Sequence, residues 1–133
     1  MDGVEDFSQY LTDEELAKVA PMLERLNQLD DREEKQKDFM SFVKYVWPQF
    51  IEGAHHKIYA EKLQAVADGK IKRLIINMPP RHTKSEFASY LFPTWLMGRD
   101  PTKKIIQATH TAELAVGFGR KVKNLIDSDD FRD

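Results

Sequence analysis

The stretch from Arg73 to Glu86 constrains this chain more than any other part of its sequence. An apolar run, Leu74-Ile75-Ile76 with Met78 one residue beyond, stops at Pro79-Pro80. Being short, apolar on consecutive positions and closed by a turn signal, it reads as a buried strand. A polar turn, Arg81-His82-Thr83, leads to Lys84-Ser85, after which Phe87, Tyr90, Leu91 and Leu96 recur at helical spacing. This order places a cation and a hydroxyl where a helix begins. Unpaired backbone N–H groups and the helix dipole already favour an anion at such a point, and a polyphosphate suits it.

The arrangement follows the phosphate loop of P-loop NTPases, G-x-x-x-x-G-K-[ST], imperfectly. Aligned on Lys84-Ser85, the two glycine positions hold Met78 and Thr83. Thr83 is the weightier departure, because a β-branched residue resists positive φ and close approach to phosphate. If the turn needs a left-handed residue there, threonine costs on the order of 1–3 kcal/mol. The plainer reading is a strand-to-helix connection carrying a solvated lysine; the flanking strand and helix favour the phosphate reading over it.

Composition narrows the class. The chain has 133 residues, 41% hydrophobic and 32% charged, which fits one small globular domain or a piece of a larger one. Without cysteine it forms neither disulfides nor a thiolate metal site, and four histidines at unsuitable spacing do not make a zinc site. No apolar run spans a membrane and no basic leader opens the chain, so a soluble cytoplasmic protein is expected. The overall charge of −2 hides a division. Residues 1–38 hold 12 acidic and 5 basic side chains, whereas residues 39–133 are net basic. An acidic extension in front of a mildly basic domain is expected.

Local signals divide the chain further. Thr12-Asp-Glu-Glu15 reads as a capping box, and Leu16, Val19, Leu23 and Leu26 continue a helix that Pro21 should kink or restart. Asp30–Lys37 is a charge run, either a linker or an exposed helix face. Asp38 should cap a helix with Phe39, Phe42, Val43, Val46 and Trp47 on its apolar face, ended by Pro48. His55-His56 open another helix, with Tyr59, Leu63 and Val66 on one side and Gly69 as its stop. Lys104–Thr109 reads as a second strand and Thr111–Ile126 as a helix. The alternation α, β, α, β, α predicts a parallel sheet covered by helices.

These residues together resemble the large terminase subunits, the ATPases of phage DNA-packaging motors. That family carries a deviant phosphate loop of the form P-P-R-H-G-K-S, here Pro79-Pro80-Arg81-His82-Thr83-Lys84-Ser85. The helix led by His55-His56-Lys57-Ile58-Tyr59, the lead Lys72–Asn77 and the turn into the helix at His110–Arg120 follow in the family's order, from about Phe39 to Asp127. The resemblance implies an α/β fold: a P-loop NTPase (ASCE-like) parallel sheet with flanking helices, incomplete in this chain and preceded by the acidic extension. It implies ATP and Mg2+ as cofactors. Lys84 would contact the outer phosphates and Ser85 would ligate magnesium. Arg81, with Lys84, would serve catalysis, and Pro80, His82, Thr83 and Glu86 would complete the nucleotide loop. His55 or His56 would meet the adenine, a helix-start role being the alternative for both; His56 is retained as the candidate. Thr109-His110-Thr111 would face DNA or couple to it.

The family's apolar strand closing in paired acids, its Walker B segment, is not found. Asp127–Asp130 is acidic but follows a helix. The expected organisation is therefore residues 1–38 as extension and 39–133 as the front of the ATPase domain, with Walker A present and Walker B absent. The expected function is the ATP-binding part of a terminase large subunit powering DNA packaging. Its partners would be double-stranded DNA, the small terminase subunit and the portal protein, with no membrane, in the cytoplasm of an infected bacterial host. A complete protein would also carry an endonuclease, and this chain alone would be inactive. The alternatives are a nucleotide-binding or interaction fragment without catalysis, or the front of a related helicase-like ATPase.

Overall fold

A computed structural model describes residues 12–132; the first eleven residues of the acidic extension and Asp133 lie outside the described part of the chain. The fold is helical: α1 (Asp13–Lys37), α2 (Phe39–Val46), α3 (Ala54–Ala67), a π-helical stretch (Glu86–Leu91) running into α4 (Phe92–Arg99), α5 (Ala112–Ile126) and α6 (Asp129–Arg132). Among the described residues there is no β-strand. The expected parallel α/β sheet is therefore corrected. Residues 74–78 and 104–109 lie outside regular structure, joined by no ladder.

Side-chain exposure explains the difference. A strand inside a parallel sheet is buried on both faces, which is why consecutive apolar residues signal it. Here Leu74, Ile76 and Met78 pack against the core, but Ile75 is 87% exposed. Ile106 in the second segment is 95% exposed. Each segment lays at most one face on the protein. The second is held through a side chain, Gln107 Nε2–H donating to the Ser89 carbonyl at 2.7 Å.

The chain divides into two compact units, Met1–Glu33 and Glu34–Asp133. In the first, α1 passes through Pro21 without a break and buries no residue. The Ala17 carbonyl that proline deprives of its helical partner belongs to an exposed residue, where solvent is available to it. Asp30–Lys37 is thus helix surface. At the helix start the Glu15 carboxylate accepts from both the Thr12 amide (3.0 Å) and the Thr12 hydroxyl (2.8 Å), which lowers the Glu15 pKa. The hydroxyl donates to Glu15, the reverse of its part in a reciprocal capping box.

The second unit is built on aromatic packing. Phe39, Phe42 and Val43 of α2 meet Tyr59, Ala60 and Leu63 of α3, with Phe87 and Leu91 of the π-helical stretch and Trp95 of α4 closing the cluster. Phe39 sets its ring edge-on to Phe87 and Phe92, both at 5.7 Å, and Trp95 donates from its indole nitrogen to the Lys35 carbonyl at 3.0 Å. Caps fix the helix ends. The Asp38 carboxylate accepts from the Ser41 amide at 2.7 Å, and Thr111 accepts from Leu114. Gly69, at φ 75°, ends α3 in a Schellman motif: the Lys70 amide bonds to the Ala65 carbonyl and the Gly69 amide to that of Val66.

The π-helical stretch has an identifiable cause. Pro93 has no N–H for the Ser89 carbonyl four residues earlier, and its ring crowds that carbonyl. The helix widens just before the proline, and Gln107 supplies the missing donor. Gln107→Ala should accordingly destabilise the protein by about 1–2 kcal/mol, the cost of a partly buried carbonyl left unpaired. In a Pro93→Ala background the same change should cost less, since an alanine amide can take the carbonyl. Urea unfolding of the four chains measures this coupling, and additive effects would contradict the assignment.

Candidate functional site

The turn between Pro79 and Lys84 is exposed, yet it is tied to the core from below. The helix that follows begins at Lys84, and its first backbone bond runs from the Phe87 amide to the Thr83 carbonyl at 2.9 Å. The amides of Lys84, Ser85 and Glu86 therefore precede any intrahelical acceptor and remain open to a ligand. Arg81 and Thr83 both take positive φ, 65° and 61°. For Thr83 this is the left-handed conformation anticipated from the glycine pattern, adopted by a residue that resists it. Two such residues in one short turn store on the order of 1–3 kcal/mol each.

Two side chains of α3 hold the turn. Tyr59 stacks on Phe87 with centroids 5.4 Å apart and donates its hydroxyl to the Lys84 carbonyl at 2.8 Å. Burial pushes its phenol pKa up to about 12. His56, only 7% exposed, accepts at Nδ1 from the Gly53 amide (2.9 Å) and meets the Thr83 hydroxyl at Nε2 (2.8 Å). A backbone amide can only donate, so Nδ1 is bare and the proton sits on Nε2. Nε2–H donates to Thr83 Oγ1, which in turn donates to the His82 carbonyl at 2.6 Å. Burial is the main reason the His56 pKa is lowered; the neighbouring His55 and His82 act the same way, and Glu52 opposes them.

Of the other expected site residues, Pro80 and Arg81 are exposed, and the Pro80 carbonyl accepts from Nδ1 of His82 at 2.9 Å. Lys84 and Ser85 are exposed in the first helical turn. Glu86 is engaged by Lys121 of α5 at 2.9 Å. The expected adenine contact falls differently on the two histidines. His56 has both ring nitrogens committed within the protein, whereas His55 is exposed and lies over His56 at 3.8 Å, 5.9 Å from His82. His110 is exposed ahead of α5. Among the described residues no group of three or more histidines and carboxylates could hold a metal ion.

Sequence patterns assigned Tyr59 to the core and missed its bond to the loop helix; nothing in the spacing signals a hydroxyl meeting a carbonyl. His56 carried a better signal, three residues after a glycine that starts a helix, the place from which a side chain reaches back to the capping amide. Chemically the turn offers converging amides, a mobile ammonium and a hydroxyl, a set suited to a tetrahedral oxyanion. No family model, no curated protein and no solved structure matches the chain.

Tyr59→Phe keeps the stacked ring and removes one hydrogen bond, so it should lower stability by about 0.5–1.5 kcal/mol with an unchanged denaturant slope. The alkaline limb should move too. A raised pKa means that the stability tied to the protonated phenol is intact below pH 10 and is lost as pH rises through about 12. The variant should lose that dependence in urea titrations at high pH.

Proposed function

We propose that residues 80–86 bind the phosphates of ATP with magnesium, as part of an ATPase of the phage DNA-packaging type. The observation that carries the reading is local. Lys84 and Ser85 stand at the start of a helix, behind a turn held in left-handed geometry by buried contacts. In that position Lys84 pairs with the outer phosphates, Ser85 offers its hydroxyl to magnesium, and the open amides receive phosphoryl oxygens. Arg81 adds a second charge near the transferred group. The sequence likeness of Pro79–Ser85 to the packaging loop extends the proposal to double-stranded DNA, with the small terminase subunit and the portal as partners. The support is the turn and its helix, not a sheet.

A second reading is favoured by Glu86. Its carboxylate, the one acidic group within residues 80–86, is paired with Lys121, and this leaves it poorly placed to orient an attacking water. On that reading the chain binds nucleotide without hydrolysing it.

Lys84→Ala should weaken magnesium-ATP binding about 10- to 100-fold, the loss of a charge-assisted contact worth about 1.5–3 kcal/mol. Ser85→Ala should diminish the magnesium dependence of binding while leaving some affinity for free ATP. Isothermal titration with and without magnesium tests both. Equal affinity of the wild type and Lys84→Ala would reject the phosphate role. Magnesium-dependent turnover by the wild-type chain would decide for hydrolysis over binding alone.

A further inference from the structure

We infer that His56 is the positioning residue of the phosphate loop, a latch that holds Thr83 in its left-handed conformation only while the imidazole is neutral. The inference rests on the phosphate reading for its functional consequence, and on hydrogen-bond geometry for the latch itself. One directed chain runs from the Gly53 amide to His56 Nδ1, from His56 Nε2–H to Thr83 Oγ1, and from Thr83 Oγ1–H to the His82 carbonyl. Every donor and acceptor in it is assigned by its chemistry, because the two backbone ends cannot exchange roles. The chain links the start of α3 to a threonine at φ 61°, directly before Lys84.

A proton arriving at Nδ1 would face the Gly53 amide donor to donor at 2.9 Å. The ring must then move away from that amide, or the first turn of α3 must give. Either movement takes Nε2 away from Thr83, and the strained residue loses the bond that retains it. The surroundings favour the neutral ring. Phe50 and Phe87 cover it at 4.8 and 5.5 Å. His55 on the same helix and His82 on the loop add repulsion once charged, while Glu52 attracts the proton. Glu52 is itself held by Lys44 and Lys57, which reduces that attraction. A depressed pKa puts the latch in place above pH 6.5, the ordinary histidine value, and loses it as pH falls through the lower folded value. Glu52, Asp68 and Asp100, each lowered by a hydrogen bond from a neighbouring side chain, act in a more acidic range, below their ordinary 3.8–4.5.

The test follows His56 ring nitrogen shifts, magnesium-ATP affinity between pH 7.5 and 5 in the full chain, and loop protection, read at the Phe87 amide, whose acceptor is the Thr83 carbonyl. The wild type should show the Nε2–H tautomer at pH 7.5. Loop protection and affinity should then fall together, about three- to tenfold, as the ring protonates. Thr83→Ser keeps the hydroxyl and should retain the coupling. Thr83→Val, which lacks it, should have low, pH-insensitive loop protection. Protonation of the nucleotide itself acts on all variants alike, so the latch is read from the difference between Ser and Val. Loop protection that ignores His56 protonation in the wild type, or the same pH response in Ser and Val, would overturn the latch. Coupling of His56 to loop protection without ATP binding at any pH would support the latch and reject the phosphate reading.

Discussion

Phe87 is the joint on which the second unit turns. Fully buried three residues after Lys84, it touches four rings from three places: Phe39 of α2, Phe50 of the connection, and His56 and Tyr59 of α3. Truncating a buried phenylalanine typically costs about 3–5 kcal/mol, more than any single hydrogen bond in the turn supplies. The first helical turn is therefore positioned by apolar packing, and polar contacts refine it. Since Tyr59 and His56 both pack their rings on Phe87 and both bond to the loop, the core and the candidate site are built together.

Helix ends were the most legible part of the sequence, because their signals are local. Asp38 and Gly69 act as the expected cap and stop through side chains and backbone within a few residues of themselves, and Thr111, expected as the first helical residue, is the N-cap, one position before α5. The positive φ at Thr83 was legible for a related reason: an alignment on Lys84-Ser85 asks for glycine there. The sheet was not. An apolar run reports a preference for burial without specifying the neighbour that provides it. Ile75 and Ile106 are apolar residues that remain in solvent, so the period-two arrangement of Leu74, Ile76 and Met78 was hidden by the residue between. Pro93 was the overlooked local signal. A proline within a helical pattern demands either a break or a substitute donor, and here a wider turn and Gln107 meet the demand.

The two histidines at the start of α3 show why residue type alone underdetermines a role. Adjacent helix positions point in directions about 100° apart. One ring therefore enters the core and the other stays at the surface. The buried ring is saturated by a backbone amide and a hydroxyl, which makes it a structural donor of fixed tautomer. The exposed ring keeps its nitrogens at the edge of the turn, beside His82. Any direct contact with a nucleotide base from this pair would fall to His55, and His56 would act through Thr83.

Backbone strain persists only where surrounding contacts over-determine it. Thr83 meets that condition on three sides: its hydroxyl bridges His56 and the His82 carbonyl, its own carbonyl accepts the first helical bond, and the next residue's carbonyl receives Tyr59. Arg81, at φ 65°, lies on the exposed outer part of the turn. The turn is thus secured at its helical end. A ligand seated on the amides of Lys84–Glu86 would meet a firm floor there and a more adaptable rim around Arg81. Such a division suits a site that must hold phosphate in fixed register while a second cation adjusts to the charge that develops on it.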